Sequence, residues 1–317
     1  MISVAGTLVA DLLVRPIRNW EGKGHNANVD CIELVPGGTV ANTGLALARL
    51  GVPVSTLGTL GDDSFGMVVN ESINRWAARN RVVILRSTPT TASVVAVFED
   101  GDRCFLSAAG ASERFDLTPV DVSNEIEAGS RALHVGYAGR LPKLDGQPLE
   151  NLMRFARERG ALTSLDVTYF PDSRWPDLMS LMPDLDMFCP SLIEATAITG
   201  RNSASEAASA LVEAGVRKFV AVTDGPNGAL VHIVGEGQEH VPALPVKVVD
   251  TTGAGDAFIA GVLAAWYRGF SWWVAAQTGA LVASIAVAGS TRYEKLRTFE
   301  ELIPEVMQQN LERRNSC

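Results

Sequence analysis

The chain has 317 residues, of which 47% are apolar and 20% are charged, and its formal net charge is −9. This size and composition exclude a disordered chain and predict a single α/β domain over 1–317, with a small additional part. The acidic balance argues against a nucleic acid partner, whereas a small anionic substrate needs only a local positive potential.

The predicted elements alternate between short apolar runs and amphipathic stretches, many of which end in glycine. This is the pattern of βα units around a mostly parallel sheet. We predict strands over 2–9, 53–58, 131–136, 162–166, 185–189, 218–223 and 246–249. We predict helices over 40–50, 63–78, 148–159, 192–199, 204–214, 271–287 and 298–310, with one more helix after residue 256.

Two regions break the alternation. Residues 8–36 and 91–108 contain extended segments, and 94–106 is typical of a β-hairpin with its turn at Asp100-Gly101. Because no helix covers these few strands, they predict a small exposed sheet.

The stretch 250–261 is the most informative part of the chain, since it combines a Gly-rich turn with a helix start and follows the strand predicted over 246–249. Gly253 and Gly255 lack Cβ atoms, so the backbone can approach a ligand, and the first N–H groups of the helix can bind a phosphate. Asp256 lies in the same turn, where it can act as general base toward a substrate hydroxyl. From these residues alone, a helix start that binds nothing, with the aspartate as its cap, stays an alternative.

Two distant motifs resemble the signatures of the ribokinase-like (PfkB) carbohydrate kinases. Asp-Thr-Thr-Gly-Ala-Gly-Asp-Ala-Phe-Ile-Ala-Gly at 250–261 matches the C-terminal signature, and Pro-Gly-Gly-Thr-Val-Ala-Asn-Thr-Gly at 36–44 begins a match to the N-terminal one. The resemblance implies an α/β three-layer sandwich, with a mostly parallel central sheet flanked by helices and a small β-sheet lid from 8–36 and 91–108. It implies transfer of the γ-phosphate of ATP to a hydroxyl of a sugar or sugar-like polyol.

The roles of the site residues follow from the resemblance. It implies Asp256 as the catalytic base, with an anion hole formed by Gly253, Ala254 and Gly255. It implies a substrate-binding set that consists of Asp11, Gly37, Gly38 and Asn42. Carboxylate and amide side chains suit a polyol because they exchange hydrogen bonds with its hydroxyls.

A further segment, 189–194, resembles the Asn-x-x-Glu motif that orders water and Mg²⁺ around the phosphates. Glu194 matches the motif, but Ser191 replaces the asparagine and has a shorter reach, which bears on nucleotide affinity and metal preference. Ser191 followed by Glu194 is also the pattern of a helix capping box. The other implied nucleotide-binding residues are Asp166, Thr223, Gly225 and Gly228.

Some relatives in the family hold a monovalent cation behind the anion hole, and the corresponding residues here are Asp250 and Thr252. The loop 286–291 is shorter than in ribokinase, so K⁺ is allowed but not implied. The resemblance also predicts a homodimer through the lid strands, since lid sheets often pair between subunits.

Three alternatives remain open from the sequence. A nucleoside kinase of the same fold differs only in the sugar site. An ADP-dependent or phosphosugar kinase needs a second phosphate site, for which only Arg103 and Arg140 are candidates. A non-catalytic sugar or nucleotide sensor is disfavoured by the intact Asp256 with its glycines. The isolated histidines, which are His25, His134, His232 and His240, are predicted to be structural or exposed.

Targeting and redox features predict a cytoplasmic protein without a membrane partner. No segment reaches the roughly 18 apolar residues needed to span a membrane, and no basic region precedes the first apolar run. The cysteines are scattered without a Cys-x-x-Cys pair, so neither a zinc site nor a disulfide framework is indicated. They are Cys31, Cys104, Cys189 and Cys317.

Overall fold

The computed structural model describes residues 1–18, 20, 22, 24–99, 103–168, 175–289, 293 and 295–314. Fifteen strands lie in these ranges, namely β1 (Ile2–Ala5), β2 (Val9–Ile17), β3 (Cys31–Gly37), β4 (Val54–Leu57), β5 (Thr59–Gly61), β6 (Arg79–Asn80), β7 (Val83–Leu85), β8 (Ala92–Phe98), β9 (Arg103–Ala108), β10 (Ala132–Ala138), β11 (Leu162–Val167), β12 (Met187–Phe188), β13 (Phe219–Thr223), β14 (Ala229–Ile233) and β15 (Gly237–Val241). The same ranges contain nine α-helices, namely α1 (Gly38–Arg49), α2 (Ser64–Asn74), α3 (Pro119–Glu127), α4 (Gln147–Glu158), α5 (Leu192–Thr199), α6 (Ala204–Glu213), α7 (Ala254–Tyr267), α8 (Trp272–Val287) and α9 (Phe299–Arg314).

A nine-stranded sheet forms the centre of the fold. Its strand order is β15-β14-β13-β12-β11-β10-β1-β4-β6. The strands from β13 to β6 pair in parallel. Only β14 and β15 run antiparallel to their neighbours. The predicted mostly parallel sheet is therefore confirmed, and an antiparallel hairpin extends it at one end.

Helices cover both faces of this sheet. Successive side chains of each strand point to opposite faces, so each face has a core of its own. Val4 of β1 faces a core formed with α1, α7, α8 and α9. The next residue, Ala5, faces a second core formed with α3, α4, α5 and α6. The two cores give the three layers that the resemblance predicts.

The helices α7 and α8 pack against each other through glycines. A Cβ atom added to Gly261 of α7 would lie 2.8 Å from the Cα atom of Gly279 of α8. Residues 257–265 of α7 are all buried, so the helix has neighbours on every side. This packing fixes the direction in which the start of α7 points.

A second, four-stranded sheet has the order β3-β2-β8-β9. It confirms the small sheet predicted from 8–36 and 91–108. The strands β8 and β9 pair antiparallel, as predicted for a hairpin, while the proposed turn at Asp100-Gly101 lies outside the described residues. Leu8 and Ala10 join a third core with Val40 of α1 and with α2. The small sheet thus lies over the N-terminal part of α1.

Two predicted strands are wrong in part or in whole. The strand predicted over 2–9 ends at Ala5, because Gly6 has a φ of 134° and its Cα approaches the Gly136 carbonyl too closely for a Cβ atom. The chain then enters the small sheet at Val9. Residues 246–249 form no strand, since the Val249 and Asp250 N–H groups donate to the Val287 carbonyl at the end of α8, at 2.8 and 3.2 Å.

A buried histidine lies within the central sheet. His134 of β10 is fully buried and its Nδ1 lies 3.0 Å from Ser164 Oγ. Burial lowers the pKa of His134 to about 3. The side chain is therefore neutral at physiological pH and belongs to the core.

Within the described ranges, no helix is both long enough and apolar enough to cross a membrane.

Candidate active site

The start of α7 is built around Gly253, which caps the helix with a φ of 75°. A Cβ atom here would lie 2.8 Å from the Tyr293 hydroxyl oxygen. That hydroxyl donates to the Gly253 carbonyl at 3.2 Å. Both the positive φ and the contact with buried Tyr293 explain why the position is a glycine. Tyr293 was not predicted from the sequence. Its hydrogen bond to Gly253 stabilises the turn.

The first three N–H groups of α7 belong to Ala254, Gly255 and Asp256. The Ala254 N–H donates to the Thr251 carbonyl at 3.3 Å. The N–H groups of Gly255 and Asp256 lie in the first turn, where no helical carbonyl precedes them by four residues. Apart from the adjacent residues and the backbone of its own helix, no described atom lies within 4 Å of a Cβ atom placed on Gly255. The turn therefore presents backbone donors and the positive end of a helix to open space, which suits an anion.

Asp256 is held by two side chains of α1. Asn42 Nδ2 donates to one carboxylate oxygen of Asp256 at 3.0 Å, and Thr43 Oγ1 donates to the other at 2.7 Å. Asn42 is 5% exposed and Thr43 is fully buried. The two signature motifs thus meet through these bonds, although more than 200 residues separate them in sequence. Thr43 was not singled out in the sequence, since a threonine inside a helix has many uses.

Glycine also allows α1 to begin close to the first strand. Gly38 has a φ of 79°, and a Cβ atom on it would lie 2.5 Å from the Thr7 carbonyl oxygen. Gly37 ends β3 and caps the helix. Thr39, one turn before Thr43, packs on Gly136 and donates to Asp166 Oδ2 at 3.3 Å. One face of α1 therefore brings hydroxyl groups to two carboxylates.

Asp166 lies near the carboxyl end of β11, where parallel sheets gather ligand groups. Burial raises the pKa of Asp166 well above its usual range, and the negative charges of Asp256 and Glu194 raise it further. The charges of Asp256 and Glu194 therefore both act on Asp166. Such a group of carboxylates favours a cation between them.

Ser191 and Glu194 form a capping box at the start of α5. The Ser191 N–H and hydroxyl both donate to Glu194 Oε2 at 2.7 Å, and the Glu194 N–H donates back to Ser191 Oγ at 3.4 Å. Ser191 also forms a β-bridge with Thr223, the last residue of β13. The capping box seen in the sequence is therefore present. The β-bridge places Ser191 beside Thr223.

Gly225 and Gly228 lie in the turn after β13, where the Gly228 N–H donates to the Gly225 carbonyl at 3.1 Å. The Asp224 N–H donates to the Gly228 carbonyl at 2.7 Å. A Cβ atom on Gly228 would lie 2.2 Å from the Val241 carbonyl oxygen. This close approach is a structural reason for the glycine, separate from any role with a nucleotide.

Asp11 lies in β2 and is 8% exposed. It pairs with Val35 of β3 and with Ser93 of β8. Val9, two residues earlier on the same strand, pairs with Gly37. The register thus places Asp11 close to the start of α1, where Gly37, Gly38 and Asn42 lie.

The turn before the anion hole is bound by the small sheet. Asp250 Oδ1 accepts from the Thr252 N–H at 2.8 Å and from Arg103 Nη1 at 3.0 Å. Arg103, at the start of β9, also donates to the hydroxyls of Thr251 and Thr252. The sequence indicated Arg103 only as a candidate for a second phosphate site. Its pairing with Asp250 joins segments 147 residues apart and has no local sequence pattern.

Comparisons with known proteins agree with this geometry. The family model described as "pfkB family carbohydrate kinase" matches residues 2–297. Fructokinase from Klebsiella pneumoniae is 30% identical over 275 residues, which cover 83% of each chain. Fructokinase-1 from Oryza sativa subsp. japonica is 28% identical over 236 residues, which cover 72% of each chain. The structure of Arabidopsis thaliana ribokinase complexed with ribose and ATP superposes with a TM-score of 0.80 at 23% identity, over 96% of this chain and 98% of that one.

Proposed function

The chain belongs to the pfkB family of carbohydrate kinases, and from this premise we propose the residues through which it transfers the γ-phosphate of ATP to a sugar hydroxyl. The family membership makes it an ATP-dependent sugar kinase. One observation carries the assignment of residues. Asp256 lies in the first turn of α7, and two buried side chains of the N-terminal motif hold its carboxylate.

In this proposal Asp256 is the general base. The sugar oxygen attacks the γ-phosphorus, the bond between that phosphorus and the ADP oxygen breaks, and the hydroxyl proton passes to the Asp256 carboxylate. The bonds from Asn42 and Thr43 leave further lone pairs on the same oxygens, because each carboxylate oxygen can accept more than one hydrogen bond. The residue can therefore be oriented and still accept the proton.

The anion hole is assigned to Gly253, Ala254 and Gly255, with the N–H of Asp256. The open space around Gly255 and the position of these groups at the positive end of α7 support this assignment. Because these donors are fixed by the backbone, they need no rearrangement as negative charge develops on the transferred group. The sugar is assigned to Asp11, Gly37, Gly38 and Asn42, which lie at the start of α1 and on the neighbouring strand.

The nucleotide and its metal are assigned to the carboxyl ends of β11, β12 and β13 in the large sheet. The described residues contain no group of three or more acidic, histidine or cysteine side chains that could hold a metal directly. Mg²⁺ keeps several waters, so Glu194 and Asp166 fit it through water, and their mutual repulsion favours a cation. When bound, Mg²⁺ supplies positive charge to the phosphate oxygens. Contacts with the nucleotide are assigned to Ser191, Thr223, Gly225 and Gly228.

A coupled assay for ADP release tests the proposal. The purified protein is supplied with ATP and Mg²⁺ and with fructose, ribose, 2-keto-3-deoxygluconate, myo-inositol or adenosine. We expect the highest turnover with fructose, since the relatives from Oryza sativa and Klebsiella pneumoniae are named fructokinases. Preference for adenosine would instead support the nucleoside kinase alternative.

The variant Asp256→Asn tests the base. We expect turnover to fall by about two orders of magnitude or more, with ATP binding retained, which is the usual scale for a lost general base. Asp121→Asn is a matched control, because Asp121 also lies in the first turn of a helix, in α3. Near-normal turnover of Asp256→Asn would contradict the assignment of Asp256 as the general base.

We also propose that two copies pair through the small sheet. Its strands carry exposed apolar side chains, with Ile32 65%, Phe105 54% and Leu106 64% exposed. Such side chains on edge strands favour pairing with another chain. Light scattering after size exclusion gives the mass, and a monomer at micromolar concentration would contradict this part of the proposal.

A further inference from the structure

One face of the small sheet is turned toward the proposed active site. Residues that pair across neighbouring strands lie on the same face of a sheet, and successive residues of one strand alternate between faces. Asp11 pairs with Ser93, and Ser93 pairs with Ser107. Arg103 lies four residues before Ser107 on β9, and its guanidinium contacts the turn before the anion hole. The side of the sheet that carries these four residues is called its inner face below.

A polar row crosses this inner face, and it consists of Asp11, Ser93 and Ser107. Their strands are consecutive neighbours in the sheet, about 5 Å apart, so the row extends over about 10 Å. Asp11 is 8% exposed and Ser93 is 6% exposed, whereas Ser107 is exposed. The row therefore leads from the buried proposed sugar site toward the edge of the sheet.

The other inner positions of β8 and β9 offer little to a sugar hydroxyl. Val95 and Val97 are the inner residues that follow Ser93 on β8, and Phe105 is paired with Val95. These side chains can pack against C–H groups, but they form no hydrogen bonds. The guanidinium of Arg103 is engaged with the turn before the anion hole. Hydroxyl recognition by these two strands therefore depends on the two serines.

The two serines have the hydrogen-bonding capacity that a polyol requires. Ser93 Oγ and Ser107 Oγ lie 2.9 Å apart and form a hydrogen bond with each other. Each hydroxyl has one donor and two acceptor sites, so one hydroxyl proton and several lone pairs are left over. A sugar hydroxyl also donates and accepts. It can therefore join the pair and extend the chain of hydrogen bonds.

We propose that Ser93 and Ser107 bind a sugar hydroxyl next to the part of the sugar that Asp11 binds, and that they thereby select a fully hydroxylated sugar over a deoxy sugar. The inference rests on the proposed function, which assigns the sugar to Asp11. A sugar that lacks this hydroxyl leaves the buried Ser93 without a partner and binds more weakly. Because the bond is made in the ground state and in the transition state, its loss acts on KM more than on kcat.

The test compares the wild type with Ser93→Ala, Ser107→Ala and the double variant. Cys104→Ala is the matched control, because it also removes one atom from β9, at a position that pairs with Ala96 on the opposite face. Each protein is supplied with fructose and with 1-deoxy-, 3-deoxy- and 4-deoxyfructose. The measurements are phosphorylation kinetics, sugar affinity by calorimetry without ATP, and the midpoint of thermal unfolding. Calorimetry also reports on an analogue that lacks the acceptor hydroxyl.

The quantity that decides is the ratio between the affinities for fructose and for each deoxy analogue. For one analogue we expect a ratio of about ten in the wild type and in Cys104→Ala, the scale of a lost hydrogen bond. In Ser93→Ala and in the double variant this ratio should fall to about one, because the partner of the missing hydroxyl is gone. Ser107→Ala should show a smaller change, since Ser107 is exposed. The other ratios, kcat for fructose and the unfolding midpoint should change little.

Ratios that stay unchanged in the double variant for every analogue would overturn the inference, since the serines would then bind no sugar hydroxyl. An equal loss of affinity for all four sugars with a lower unfolding midpoint would mean that the serines only stabilise the sheet, which would also overturn it. Absence of fructose binding by the wild type would overturn it together with the proposed sugar site. If sugars bind but none is phosphorylated, the proposed function fails, while the calorimetric ratios still decide the role of the serines.

Discussion

Replacing Thr43 by valine isolates one bond to the proposed base. Thr43 is fully buried, and its hydroxyl donates to Asp256 Oδ1 at 2.7 Å. Valine has nearly the same shape, so the change removes the donor without opening a cavity. Asn42 still donates to the other oxygen at 3.0 Å, which keeps the carboxylate near its place.

The size of the effect follows from the type of bond. A hydrogen bond to a charged group contributes about 1.5–3 kcal/mol. If the loss falls on the transition state, kcat decreases roughly 10- to 150-fold, since each 1.4 kcal/mol is a factor of ten. The Thr43 hydroxyl donates to the proposed base, so its loss should act mainly on kcat, and we expect KM to change little.

The assay is steady-state ADP release with the preferred sugar, together with urea unfolding of each variant. Thr43→Ser should restore most of kcat, because it returns a hydroxyl to the same position. Thr278→Val is the control, since its buried hydroxyl donates only within α8, to the Val274 carbonyl at 2.8 Å. A folded Thr43→Val with kcat within twofold of the wild type would refute the reasoning, as would an effect confined to KM.

Two further predictions concern Gly255 and His134. Gly255→Ala should leave the free energy of unfolding unchanged or raise it by up to about 1 kcal/mol, since its Cβ meets no described atom and alanine favours helix. The same Cβ enters the proposed phosphate site, so the KM for ATP should rise about tenfold, and a normal KM would contradict the anion hole. His134 has a folded pKa of about 3, below its unfolded value, so only the unfolded chain binds the proton between pH 6.5 and 3. The free energy of unfolding should therefore fall as pH decreases through this window, by up to about 1.4 kcal/mol per pH unit. His134→Asn should lose this slope in urea unfolding at pH 7 and pH 5, and an equal slope would contradict the assignment.

The sequence predicted those features that have a local cause. The alternation of βα units predicted the large sheet, and Gly200 ends α5 in the left-handed conformation that the capping rule expects. The helix α3 was missed because only Val122 and Glu125 of it are buried, so its apolar periodicity is weak. Its start was nevertheless marked by Thr118 and Asp121, which form a capping box.

Other features depend on partners that no local pattern specifies. The β-branched run 246–249 has high strand propensity, but it hydrogen-bonds to the end of α8 and lies beside no strand. A segment with high strand propensity forms a strand only where another strand is available to pair with it. The bonds from Thr43 to Asp256 and from Arg103 to Asp250 likewise join distant segments through tertiary packing. Motif matching assigned roles to Asp256 and Asp250 and could not identify the side chains that pair with them.

The separation of the two motifs has a consequence for biosynthesis. Asn42 and Asp256 are 214 residues apart, so the site is incomplete until α7 has left the ribosome. Until then the sheet face that α7 and α8 will cover is open to water, and its apolar side chains are exposed on the nascent chain. Partly made chains of this kind expose surface on which aggregation begins. The polar side chains of α1 also lack their carboxylate partner during this time. Translation of the segment from α7 onward thus closes the core and completes the site in the same step.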